Sequence, residues 1–213
     1  ASLTGTITIK GKPTVTIGQI DDLCEGSELD ITAKVSGADT YAYYSDAAGT
    51  TALPNTKITA VGTTDFWVKG MKNGCPSDLV AGSVTINPKV TLTHTSGSTE
   101  QELCYGSTIE NIVYKTANAT NATVTGLPTG VSYAFDQDAQ TITISGTLPE
   151  QANDASLTYT VSVEGATAPC TNPASLTGTI TIKGKPSIVY TQLPETCGQP
   201  IDVTASMALV PSS

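Results

Sequence analysis

Ala174-Ser175-Leu176-Thr177-Gly178-Thr179-Ile180-Thr181-Ile182-Lys183-Gly184-Lys185-Pro186 is the stretch on which the fold turns. Ile180 and Ile182 alternate with Thr179, Thr181 and Lys183. That is the period-2 pattern of a strand with one buried face. The same thirteen residues, letter for letter, stand at Ala1 through Pro13. Position 174 less position 1 gives an offset of 173 residues. It holds beyond the identity: Val15 maps to Ile188, Gln19 to Gln192, Ile20 to Leu193 and Cys24 to Cys197. Identity of this length in a 213-residue chain marks duplication of a whole unit.

The unit is itself two related halves. Each opens with Pro and an alternating run, Pro13-Thr14-Val15-Thr16-Ile17 and Pro88-Lys89-Val90-Thr91-Leu92. Each continues into a Cys-x-Gly-Ser turn, Cys24–Ser27 and Cys104–Ser107. Each carries a second cysteine, Cys75 and Cys170, and closes on Gly-[Ser/Thr]-[Val/Ile]-Thr-Ile, at Gly82–Ile86 and Gly178–Ile182. Two domains are therefore expected, 13–87 and 88–186. Residues 1–12 read as the last strand of a preceding repeat, and 187–213 as the opening strands of a truncated third. The chain is accordingly expected to be an excised or processed piece, whose export signal lies elsewhere.

Strand patterning runs throughout. Leu29, Ile31 and Ala33 alternate with Asp30, Thr32 and Lys34; Phe66 and Val68 alternate with Trp67 and Lys69. Ile142 and Ile144 alternate with Thr141, Thr143 and Ser145. Gly, Pro, Asn and Asp punctuate these runs at the spacing of a sandwich or barrel. The predicted fold is all-β: tandem immunoglobulin-like β-sandwich domains. Charged residues are 14%, well below the usual quarter, and aromatics 5%, so the cores are expected to be aliphatic. A net charge of −9 argues against nucleic acid and anionic membrane surfaces as partners, since both require a basic footprint. No apolar run is long enough to insert in a membrane. The joints Asn87-Pro88 and Lys185-Pro186 are short, and proline stiffens them, so a semi-rigid array is expected.

Five cysteines in such a chain suggest disulfides and an extracytoplasmic compartment. Pairing within domains gives Cys24–Cys75 and Cys104–Cys170, with Cys197 left over. A strict immunoglobulin topology instead puts the two cysteine-bearing turns at opposite poles. Cys24 would then reach Cys170 of the next domain. The sequence leaves both connectivities open.

These motifs carry a resemblance. Residues 13–87 resemble the immunoglobulin-like and PKD-like repeats of large secreted adhesins of the Bacteroidota. The matching residues are Cys24-Glu25-Gly26-Ser27, Tyr41-Ala42-Tyr43-Tyr44, Thr63-Thr64-Asp65-Phe66-Trp67-Val68, Asn73-Gly74-Cys75-Pro76-Ser77 and Val84-Thr85-Ile86. Tyr43 stands where that family usually has Trp. Residues 125–163 are similar to an immunoglobulin-like repeat of bacterial surface proteins, through Gly126-Leu127-Pro128-Thr129-Gly130-Val131-Ser132, Ile142–Pro149 and Tyr159-Thr160-Val161. The resemblance implies display at the bacterial cell surface or secretion, a role in adhesion or as a stalk, and no catalytic residue; no cofactor or metal is expected.

Residues with chemical potential have plainer readings. His94 ends an alternating strand and has no nucleophile or ligand spacing beside it. Gly5 to Lys12 lacks phosphate-loop spacing, and Pro13 follows the lysine where Ser or Thr is required. Asp136-Gln137-Asp138 reads as a hairpin turn, and Asp21-Asp22 supplies too few oxygens for calcium. Tyr41 and Tyr43 share one face and are expected in the core. Asn118-Ala119-Thr120 and Asn121-Ala122-Thr123 match the N-glycosylation pattern but read as polar strand and turn residues. Trp67 alternates away from Phe66 and Val68 and is the candidate contact residue. The expected role is a non-catalytic stalk segment of a surface adhesin, whose partners are neighbouring repeats of the same protein. The alternatives are a module recognising a surface glycan or protein, and a filament subunit assembling by strand addition.

Overall fold

The computed structural model describes residues 4–190, Cys197 and 207–210, and the side chains of 187–190 and 207–210 are left aside. Apart from a 3-10 turn at Ile31–Lys34, every regular element among them is a strand. The chain forms two compact units. One holds residues 1–89 and 166–171, the other 90–165 and 172–213. The short segment 166–171 leaves the second half of the chain and belongs to the first unit.

The first unit contains β1 (Thr16–Ile17), β2 (Leu23–Cys24), β3 (Leu29–Asp30), β4 (Val35–Ser36), β5 (Thr40–Tyr44), β6 (Lys57–Ile58), β7 (Gly62–Lys72), β8 (Cys75–Pro76) and β9 (Val80–Asn87). Its main sheet runs β2-β9-β7-β5, with β8 on β7; β1 pairs β4, and β3 pairs β6. Alternation in β7 drives Phe66 and Val68 inward onto Val84, Ile86, Ile31 and Ile58. Each such side chain, fully buried, contributes roughly 1.5–3 kcal/mol.

The second unit contains β10 (Thr91–Ser96), β11 (Glu100–Cys104), β12 (Ile112–Ala117), β13 (Asn121–Thr125), β14 (Val131–Asp136), β15 (Thr141–Gly146), β16 (Ala155–Glu164) and β17 (Leu176–Lys183). One sheet runs β10-β12-β15-β14 and the other β11-β17-β16-β13. This is the A-B-E-D sheet facing the C-F-G sheet of the immunoglobulin sandwich, with the first strand divided between the two. Its core is aliphatic around two tyrosines: Ile112, Ile142, Ile144, Val161, Ile180 and Ile182 surround Tyr114 and Tyr159. In both units the second segment of the first strand runs parallel to the last strand, β2 beside β9 and β11 beside β17. The backbone of β18 (Ser187–Tyr190) pairs antiparallel with β19 (Met207–Val210). Most of the expected third repeat, 187–213, lies outside the described residues.

The glycine of the closing motif has a steric cause in both units. Gly82 sits opposite Phe66 in register, and Gly178 opposite Tyr159. A Cβ at Gly82 would stand 2.6 Å from Phe66 Cζ; one at Gly178 would stand 2.2 Å from Tyr159 Oη and 2.5 Å from the Thr99 carbonyl. Real Cβ atoms do not approach so closely, so the motif keeps room for an aromatic ring from the neighbouring strand.

The duplicated segment shows what tertiary context adds to strand propensity. Its second copy is β17, held between β11 and β16, with Ile180 at 0% and Ile182 at 1% exposure. Its first copy, expected as a strand of a preceding repeat, forms none over residues 4–12, and Ile7 and Ile9 are each 91% exposed. The side chains are identical, so the difference lies wholly in the flanking strands, which the first copy lacks among the described residues.

Candidate functional site

The best-built polar feature of the first unit is a disulfide junction at the end of β2. Register places Cys24 opposite Asn87, the last residue of β9. The Cys-x-Gly-Ser turn then reverses the chain: Ser27 N donates to the Cys24 carbonyl at 3.0 Å. Gly26 adopts φ 92°, a left-handed conformation that glycine tolerates without a Cβ penalty. Glu25 N donates to the Asn87 carbonyl at 2.9 Å. Cys170 enters from segment 166–171 and is bonded to Cys24, with Cα atoms 5.0 Å apart and 146 residues between them in sequence. Asn87 is buried and serves the junction twice. Its Nδ2 donates to the Ala168 carbonyl at 2.8 Å, and its own carbonyl lies 3.4 Å from Cys170 Sγ.

This overturns the pairing of Cys24 with Cys75 and of Cys104 with Cys170. Cys75, Cys104 and Cys197 are unpaired thiols. Strand register gives the reason. Gly62, at the start of β7, lies opposite Ile86 near Cys24, while Lys72, at its end, lies opposite Cys75. Ten strand steps separate those ends by roughly 33 Å, whereas a disulfide needs Cα atoms within about 7 Å. In the second unit Cys104 stands opposite Lys183, the last residue of β17, and Cys170 precedes the strand's first residue, Leu176. The strand between spans roughly 23 Å. The connectivity realised is the Cys24–Cys170 alternative that the sequence left open.

A second feature lies on the outer face of the β2-β9-β7-β5 sheet. Trp67 pairs in register with Tyr44 on one side and Ala81 on the other. Both rings are half-buried, beside Lys69 and the exposed Asp65 on the same strand face. Tyr41 and Tyr43 alternate to the inner face and pack on the core, as expected. The Tyr41 hydroxyl also donates to the Ala38 carbonyl at 2.9 Å.

Residues 11–88, over a third of the chain, match the family described as "Ig-like domain CHU_C associated". The first unit is an Ig-like domain. No curated protein matches the sequence. Among solved structures, the Ig-like chain is similar to an endo-fucoidan hydrolase of glycoside hydrolase family 107, at 14% identity and a TM-score of 0.25, over 83% of this chain and 29% of that one. It is similar to SGBP-B of the Bacteroides ovatus mixed-linkage glucan utilization locus, at 10% identity and a TM-score of 0.26, over 95% of this chain and 62% of that one. It is also similar to the insect immune protein hemolin, at 13% identity and a TM-score of 0.28, over 86% of this chain and 56% of that one. The chain thus spans less than two thirds of each.

Several other titratable residues of the Ig-like units have structural partners. His94 is exposed, its Nε2 lies 3.0 Å from the Ser96 carbonyl, and its ring stands edge-on to Tyr114. Asp136 accepts from Ala139 N at 2.8 Å and closes the β14–β15 hairpin turn. Among the described residues, no three His, Cys, Asp or Glu side chains cluster. The Asp46 carboxylate accepts from the backbone N–H groups of Thr50 and Thr51, at 3.1 and 2.5 Å. The Thr50 amide foremost holds its pKa down at about 2. Tyr114 and Tyr159 join hydroxyls at 3.1 Å in the core. Burial first, and then that hydrogen bond, pushes the Tyr159 hydroxyl upward.

Two of these roles were not singled out from the sequence: Asn87 at the junction and the tyrosine pair in the core. Asn87 carried a signal, since it replaces the lysine that follows the other two copies of the closing motif, Lys10 and Lys183.

Proposed function

We propose that this chain is a non-catalytic structural segment of a secreted or surface-displayed bacterial adhesin, a run of Ig-like repeats that spaces a binding module from its anchorage. The observation that carries the reading is the duplication with its joint intact. Ala1–Pro13 and Ala174–Pro186 repeat the closing motif and the joint sequence together. The array therefore lengthens by whole units of one strand-to-joint design, and length is the property that a spacer provides. The Cys24–Cys170 disulfide suits an oxidising compartment outside the cytoplasm. The net charge of −9 favours solubility and mutual repulsion.

The Trp67–Tyr44 pair favours a second reading, a module that stacks a sugar ring or a protein side chain on its outer sheet face. Titrating the purified chain against a panel of polysaccharides and matrix proteins separates the two. The spacer predicts no saturable binding, and the same result for Trp67→Ala. Saturable binding that Trp67→Ala abolishes would transfer the assignment to the second reading.

A further inference from the structure

Cys24 and Cys104 occupy the same structural position. Each ends the strand that runs parallel to the last strand, opposite Asn87 and Lys183 respectively. Each opens the same turn, Ser107 N donating to the Cys104 carbonyl at 3.2 Å, as Ser27 N does to Cys24. The residue after each cysteine donates to the last strand's carbonyl: Glu25 to Asn87, and Tyr105 to Lys183 at 3.0 Å.

Cys75 and Cys170 match as closely. Both lie in the connection before the last strand, between β7 and β9 and between β16 and β17. Asn87 follows the closing motif at Gly82–Ile86, and Lys10 follows the copy at Gly5–Ile9. Asn87 donates its side-chain N–H to the carbonyl two residues before Cys170, and Lys10 Nζ donates to Asn73 O, two residues before Cys75, at 3.0 Å. Cys170 Sγ contacts the Asn87 carbonyl, and Cys75 Sγ lies 4.0 Å from the Lys10 carbonyl. Cys75 therefore rests on the residue that follows a copy of the closing motif, Lys10, as Cys170 rests on Asn87. What it lacks is the cysteine that stands opposite that position in both complete domains.

We infer that the cysteines of this array pair in a stagger of one domain, so that Cys75 and Cys104 are the outward-facing halves of further bridges of the Cys24–Cys170 kind. Cys104 takes the hairpin cysteine of the following repeat, and Cys75 takes the strand-end cysteine of the preceding one. The spacing agrees. One period of 173 residues places the next copy of Cys75 at position 248, which is 144 residues beyond Cys104, against the 146 that separate Cys24 from Cys170. Each bridge forms by exchange with a small-molecule or enzyme-borne disulfide. Two cysteine thiols give up two protons and two electrons and become one cystine, and the oxidant leaves as two thiols. The inference rests on the chain being a repeat segment, and holds whether that segment spaces or binds.

The identity of Ala1–Pro13 with Ala174–Pro186 provides the test. Joining residues 14–213 directly after Pro186 continues the array without a foreign seam. The joined protein is produced in an oxidising compartment, alkylated, digested without reduction and mapped by mass spectrometry. The expected map has Cys24–Cys170 in both copies and the first copy's Cys104 bonded to the second copy's Cys75. Cys104→Ser in the first copy should then free one thiol, the second copy's Cys75, and leave both Cys24–Cys170 bridges in place. The inference is overturned if Cys104 and that Cys75 are both alkylated beside intact Cys24–Cys170 bridges. It is overturned too if Cys104 pairs within its own domain, or if Cys24–Cys170 itself fails to form. None of these outcomes bears on the binding panel that tests the spacer role.

Discussion

Replacing Cys24 and Cys170 together by serine removes the constraint that ties segment 166–171 into the first unit. A cross-link over 146 residues is worth about 5 kcal/mol on a chain-entropy account if the whole chain unfolds. The first unit can also open while the second stays folded. The slack chain then comprises only 24–89 and 166–170, roughly 70 residues, and the same account gives about 4 kcal/mol. For a unit of this size each kcal/mol shifts the midpoint by about 4–8 °C, so a fall of roughly 20–30 °C is expected. Trp67 is the only tryptophan and sits in β7, so its fluorescence during thermal unfolding reports on the first unit alone. Cys75→Ser, which breaks no bond, should leave that midpoint within a few degrees. A double serine variant that melts within about 3 °C of the parent would refute the reasoning. So would a Cys75→Ser variant that falls as far as the double one.

The two copies of the duplicated segment give a matched pair of substitutions: Ile180→Ala should cost about 2–5 kcal/mol in urea unfolding, while Ile7→Ala, at 91% exposure, should stay within about 0.5 kcal/mol. Equal effects would contradict the assignment of one copy as core and the other as solvated. Gly178→Ala drives a Cβ into Tyr159 Oη and the Thr99 carbonyl, so a loss of at least 1–3 kcal/mol is expected by calorimetry, roughly the cost of overpacking; an unchanged melting profile would show that the ring and hydroxyl give way freely. Asp46 has its folded pKa lowered to about 2, below the unfolded value of about 3.9. Its contribution is therefore fully present above about pH 4 and lost as pH falls through 2. Carboxyl-carbon NMR should show it titrating near 2, and a midpoint near 4 would remove the Thr50 and Thr51 amide bonds from the account.

Period-2 patterning alone placed β5, β7, β15 and β16 and their inward faces, because each is a half-buried strand whose alternation survives in the sequence. The closing motif was legible as a repeat, but the reason for its glycine was not. Phe66 and Tyr159 lie 16 and 19 residues before Gly82 and Gly178, and only sheet register brings them opposite. Cysteine connectivity was undetermined for the same reason. Pairing within domains joined Cys24 to Cys75, while the eleven residues of β7 hold them at opposite ends of a sheet. The first copy of the duplicated segment shows the limit from the other side, since a sequence that is a strand at Leu176–Lys183 forms none at 4–12 without partners. Trp67 was correctly read as turned away from Phe66 and Val68, but its neighbour Tyr44 comes from another strand and emerged only with the fold.

Disulfide mapping of the unmodified chain tests the account most directly, because the staggered architecture stands on one bond. Alkylation followed by non-reducing digestion should yield a peptide pair joining Cys24 to Cys170, with Cys75 and Cys104 recovered as alkylated thiols. Recovery of Cys24–Cys75 and Cys104–Cys170 would mean that each domain is closed on itself, and would contradict both the strand register and the covalent linkage of successive repeats.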